Sequence, residues 1–144
     1  NRGFRLVADF IFGNNAGKGQ ESEKIAMTAP VTIGLMTGDA TKKMWRLHFV
    51  MPKEFTLESL PKPKNEAVRI KNVPTKTYAV YVYSGLNGDE KIDRFEKKLQ
   101  DWVSSRNLRS VAPPQLARYN PPWTLPPFRR NEILLEISNA TSFD

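Results

Sequence analysis

Histidine occurs once in this 144-residue chain, at His48, and cysteine does not occur. Thiol nucleophiles, disulfides and Cys-ligated zinc or iron–sulfur sites are therefore excluded, as are multi-histidine metal sites, and any Ser-His-Asp arrangement would have to be built on His48. The alternation of residues 44–51 sets Trp45, Leu47, Phe49 and Met51 on one side of a strand and Arg46 and His48 on the other. His48 thus reads as a solvated strand histidine that points away from the apolar side. No acid–base pair stands out elsewhere, so an enzyme is not expected.

Binding chemistry is better supplied. Residues 2–12 have helical spacing, with Phe4, Val7, Ala8 and Ile11 on one face and Gly13 as a C-terminal stop. Leu6 and Phe10, four apart, make a second apolar stripe. Either the helix is sandwiched between sheet and loop, or one stripe packs the core while the other walls a pocket. Residues 120–131 are stiffened by Pro121, Pro122, Pro126 and Pro127, carry Trp123, Leu125 and Phe128, and include Arg129-Arg130. This loop is a core plug or a ligand cover. Facing the second stripe, it would complete a slot with an apolar floor and a cationic rim; otherwise it fills space, with both arginines tied to the fold's own carboxylates.

These side chains need a frame. Residues 24–36 alternate as a strand, in which Pro30 marks an edge, a bulge or a join. A turn at Gly38-Asp39 leads to the strand at 44–51. After a proline-punctuated connection, strands are expected at 67–73 and 77–84, the latter apolar on both sides and so placed centrally in a sheet. Asn87 is the expected cap of a helix running to about residue 105, with Ile92, Phe95, Leu99, Trp102 and Val103 laid on the sheet. Strands at 116–119 and 133–137 close the chain. Residues 14–23 are glycine-rich, a flexible loop without the order of a phosphate loop. The whole predicts an α+β fold with a mainly antiparallel sheet.

Hydrophobic residues make up 40% of the chain and charged residues 26%, enough apolar volume for one globular domain. No apolar run approaches the roughly 20 residues of a membrane span. The net charge of +7 is dispersed, which suits a soluble surface and attracts phosphates, anionic lipid heads or carboxylate-bearing ligands. No groove-reading motif accompanies it, so nucleic acid is not an expected partner. Residues 1–13 carry Arg2, Arg5 and Asp9 and lack the features of a signal peptide.

Three separated blocks resemble the SOUL haem-binding protein family: Lys24-Ile25-Ala26-Met27-Thr28-Ala29-Pro30-Val31, Phe49-Val50-Met51-Pro52, and Ala117-Arg118-Tyr119-Asn120-Pro121-Pro122-Trp123 with Arg129-Arg130-Asn131-Glu132. They fall in the right order over nearly the whole chain. The resemblance implies a distorted antiparallel β-barrel of two βαβ-type repeats with a helix packed on each side. It implies reversible binding of haem or another tetrapyrrole, by a carrier or buffer without an established reaction. Family members carry two strands before the first helix, whereas this sequence opens at the helix. The expectation is therefore one SOUL-like domain over residues 1–144 with an incomplete barrel, any axial histidine lying upstream.

The residue chemistry agrees. A flat macrocycle needs a broad apolar slot and one or two cations for its propionates, because burying unpaired carboxylates is costly. Leu6, Phe10 and Met27 are the candidates for the slot, and Arg129 and Arg130 for the cations. An axial ligand is optional for tetrapyrrole binding, and His48 lies on the wrong face to be one. The alternative is a noncatalytic interaction or scaffold subunit of a larger assembly, keeping the fold without bound haem. Cytoplasm and plastid both remain open as compartments.

Overall fold

In the computed structural model, residues 2–35 and 45–139 are described. The expected turn at Gly38-Asp39 and the strand ends at Met36 and Met44 lie outside them. Both expected helices form, each for the reason its spacing suggests. Helix α1, Arg2–Ile11, ends where Gly13 takes φ +120°, a left-handed conformation that side chains rarely tolerate. Helix α2, Asp89–Ser105, opens with Asp89 and Glu90 at the positive end of its dipole. Its cap is Gly88, which makes no side-chain hydrogen bond. Asn87 is not the cap: its amide accepts from the Tyr83 hydroxyl (2.6 Å) and donates to Asn131 (3.3 Å).

The strands are β1 (Asn15–Ala16), β2 (Val31–Leu35), β3 (Trp45–Phe49), β4 (Lys62–Pro63), β5 (Tyr78–Tyr83), β6 (Leu108–Ser110), β7 (Gln115–Arg118) and β8 (Asn131–Asn139). The chain groups into two compact units, one from the described residues of 1–29 and 49–74, the other from those of 30–48 and 75–144.

The first unit packs Phe10, Ile11 and Ile25 against Phe49, Met51, Phe55, Leu60, Val68 and Ile70. Its organising polar residue is Asn15, fully buried, whose amide donates to the carbonyls of Phe10 (2.7 Å) and Glu23 (2.6 Å) and accepts the Glu23 N–H (3.0 Å). Residues 14–23 are accordingly no free loop, because β1 also pairs with β4. The expected strand over 24–36 begins only at Val31. Before it, the Ile25 N–H bonds the end of α1 at the Ile11 carbonyl, the Thr28 hydroxyl bonds the Val50 carbonyl, and Pro30 has no N–H for a ladder. Residues 67–73 are not a strand either. There the N–H groups of Ala67 and Val68 turn back onto Asn65, while Val68 and Ile70 plug the core.

The second unit holds an antiparallel sheet of order β3-β2-β7-β8-β5, with β6, absent from the sequence reading, added on β8. Among the described residues the sheet does not close, which is consistent with a distorted or incomplete barrel. Ala79, Tyr83, Leu99, Val103, Ile133 and Leu135 form its buried core, with Ile92, Phe95 and Ile137 packed around them. Strand β5 is terminal among the described strands rather than central. Its Tyr81 and Tyr83 rings lie 4.8 and 5.2 Å from the Phe95 ring of α2, but Val80 and Val82 on the opposite face are exposed. Trp102 departs from the expected stripe: it is 47% exposed, with the Arg106 guanidinium 5.2 Å over its ring.

Replacing buried Leu99 by alanine is expected to cost about 2–5 kcal/mol, against less than about 1 kcal/mol for Trp102→Ala. Urea unfolding of the two variants measures both, and equal losses would show that α2 packs by a different face.

Candidate functional site

Strands β7 and β8 are joined by residues 119–130, the stretch in which the sequence concentrates its distinctive chemistry. Pairing brings Arg118 opposite Asn131, and the loop is closed just beyond. The Tyr119 N–H donates to the Arg130 carbonyl (3.3 Å), and the Arg130 N–H donates to the Asn120 side chain (2.6 Å). Beneath this closure lies Glu132, whose side chain is only 6% exposed. One of its carboxylate oxygens accepts Nε and Nη2 of Arg130 at 2.9 and 2.6 Å, and the other accepts the Tyr119 hydroxyl at 2.8 Å. The Arg130 guanidinium also lies 5.1 Å over the Tyr119 ring.

The loop itself is bonded within. The N–H groups of Thr124, Phe128 and Arg129 donate to the carbonyls of Pro121, Leu125 and Pro126, the last two closing a single 3-10 turn at Pro126–Phe128. Arg129 folds its guanidinium inward, Nε to the Thr124 carbonyl (2.7 Å) and Nη2 to the Pro122 carbonyl (2.6 Å). With backbone and arginine thus engaged, Trp123, Leu125 and Phe128 remain outside, 83%, 65% and 74% exposed. The loop is therefore not a core plug. Its base is buttressed by Asn131, buried, which donates to the Gly85 carbonyl (3.1 Å) and accepts from Asn87.

Burial, followed by the bond to Glu132, pushes the Tyr119 hydroxyl above the usual tyrosine range, and burial does the same to Tyr83 against the opposing pull of Arg118. The Arg130 guanidinium is held charged even more firmly than usual, first by its hydrogen bond to Glu132.

The residues expected to form the slot fall in different units. Leu6, Phe10 and Met27 belong to the first, where Phe10 is a core residue, Leu6 is half-buried and Met27 is 51% exposed. Arg129 and Arg130 belong to the second and are engaged as just described. His48 is exposed, its Nδ1 3.5 Å from the Thr32 hydroxyl. Two open concavities of the first unit, of about 400 and 520 Å³, are edged by polar loops that include Lys18, Glu54, Glu58 and Lys62; neither includes Leu6, Phe10 or Met27. Among the described residues no group of three or more His, Asp or Glu side chains is placed to hold a metal ion.

Sequence reasoning missed the roles of Tyr119, Asn120 and Glu132. One signal was available for the central pair: Arg130 and Glu132, two apart at a strand entrance, share a face and carry opposite charges.

Arg130→Ala leaves a buried carboxylate with the Tyr119 hydroxyl as its remaining bonded side chain and is expected to lower the urea unfolding midpoint. Adding Glu132→Gln should recover part of that loss, and strict additivity would show that the two groups do not act as a pair. Tyr119 has its pKa raised by folding. Its contribution is therefore complete below the ordinary value of about 10 and is lost as pH rises through the raised value. The parent's urea midpoint should fall more steeply with alkaline pH than that of Tyr119→Phe; parallel curves would place the hydroxyl outside the network.

No curated protein matches the chain significantly. A family model described as SOUL heme-binding protein matches residues 1–136. Its match covers the helix, the sheet and the β7–β8 loop alike, and on it the chain belongs to the SOUL heme-binding protein family.

Proposed function

We propose that this chain binds haem or a related tetrapyrrole reversibly, as a carrier or buffer, without catalysing a reaction. Family membership carries the reading, and the residues are compatible with it in a particular way. The apolar contact is assigned to the first unit, where half-buried Leu6 and exposed Phe4 lie on α1 and exposed Met27 follows. Phe10 supports that surface from the core rather than lining it. For the propionates, the exposed Arg2 and Arg5 of α1 are added to the candidates. Arg129 is already occupied by loop carbonyls and Arg130 by Glu132, so neither is assigned to the propionates. His48 takes no part. Binding then rests on the macrocycle's apolar faces and its carboxylates.

Haem titration should give a saturable one-to-one Soret change. Leu6→Asp and Arg5→Glu, both at positions outside the buried core, should each weaken binding about ten-fold (~1.4 kcal/mol) while circular dichroism stays that of the parent. Phe10→Asp should unfold the protein, and His48→Ala should leave the haem spectrum unchanged. A parent that shows no Soret change would overturn the proposal and leave the fold as a noncatalytic interaction scaffold.

A further inference from the structure

We propose that the β7–β8 loop is an interfacial anchor that seats Trp123, Leu125 and Phe128 in the headgroup and upper acyl region of an anionic lipid surface. Three large apolar side chains lie within six residues and are exposed. The loop cannot simply collapse to hide them. Four prolines restrict its backbone, three internal N–H bonds close its turns, and the Arg129 guanidinium ties two of its carbonyls together. A contact surface that is already ordered loses little conformational entropy on engagement.

The backbone chemistry favours a lipid interface in particular. Moving a loop toward hydrocarbon is costly where its N–H and C=O groups lose water without gaining partners. Here Pro121, Pro122, Pro126 and Pro127 have no N–H, and the N–H groups of Thr124, Phe128, Arg129 and Arg130 are bonded within the loop. The carbonyls of Pro121, Pro122, Thr124, Leu125 and Pro126 all accept hydrogen bonds there. Of the six N–H groups from Pro121 to Arg130, four are thus bonded and those of Trp123 and Leu125 are not, so the polar cost of shedding water is lowered rather than removed.

Charge identifies the surface. From Arg118 to Asn131 the chain has three arginines and no acid, and Glu132, next in sequence, is buried under Arg130. Arg118 and Arg130 stand at the strand ends, and the apolar side chains lie on the connection between them. Apolar groups ahead of a cationic base match the layering of acyl chains beneath lipid phosphates, where tryptophan is favoured and each basic residue adds attraction. The chain's net charge of +7 acts in the same direction. No described helix is long and apolar enough to cross a membrane.

Vesicle flotation tests it, using phosphatidylcholine alone and phosphatidylcholine mixed with phosphatidylglycerol. The parent should float with the mixed vesicles, much less with the neutral ones, and less at high salt. Trp123→Ala with Phe128→Ala should reduce partitioning at least ten-fold while circular dichroism remains that of the parent. In a Trp45→Phe, Trp102→Phe background, which leaves Trp123 as the sole indole, emission should shift to the blue on adding mixed vesicles. Flotation that survives the double substitution would mean that general positive charge binds the lipid and would overturn the proposal. Absence of flotation with either vesicle would overturn it too, and would turn attention to a protein groove as the loop's partner.

Discussion

Glu132 carries a carboxylate into the start of a buried strand, and such a charge is tolerable only if its oxygens are fully engaged. Arg130 and the Tyr119 hydroxyl engage both oxygens, and in doing so they fix the two ends of the β7–β8 loop. Everything distinctive about the loop follows from that closure. Asn120 can reach the Arg130 N–H, Arg129 turns inward to the carbonyls of Pro122 and Thr124, and the apolar side chains are left outside. The same anchoring fixes the neighbouring Asn131, through which Gly85 and Asn87 are drawn to the loop's base.

The block from Ala117 to Trp123 and the block from Arg129 to Glu132 are the clearest family marks in the sequence, and the structure gives them an architectural reason. Tyr119, Asn120, Arg129 and Glu132 direct their polar atoms at one another or at loop backbone. A motif can thus identify a binding family while most of its polar groups build the frame. Trp123, Leu125 and Phe128, which take no part in that frame, stay exposed.

Periodicity made the helices and the closing strands legible, since Leu99, Val103, Ile133 and Leu135 lie in the core where their spacing puts them. It misled where a segment has the pattern of a strand but no partner. Residues 24–30 alternate, yet Ile25 is bonded to the end of α1 and Pro30 cannot extend a ladder. Strand β5 is apolar on both faces, yet it is an end strand, because apolar character does not reveal whether anything covers Val80 and Val82. The roles of Asn15, Asn87 and Arg129 were out of reach for a different reason. The sequence reads Asn15 as part of a flexible loop, Asn87 as a helix cap and Arg129 as a ligand-facing cation, and only tertiary placement shows that each satisfies buried or closely turned backbone and side-chain groups.

The bonds within the β7–β8 loop, from its own arginine and its closed turns, hold it formed before any ligand or surface meets it. Backbone 15N relaxation of the ligand-free protein tests this most directly, at Trp123, Thr124, Leu125 and Phe128. Order parameters close to the ~0.85 typical of rigid backbone are expected, with a clear fall in the Arg129→Ala variant. Values below about 0.6 in the parent would contradict it, since the loop would then be a mobile segment that its internal bonds do not hold.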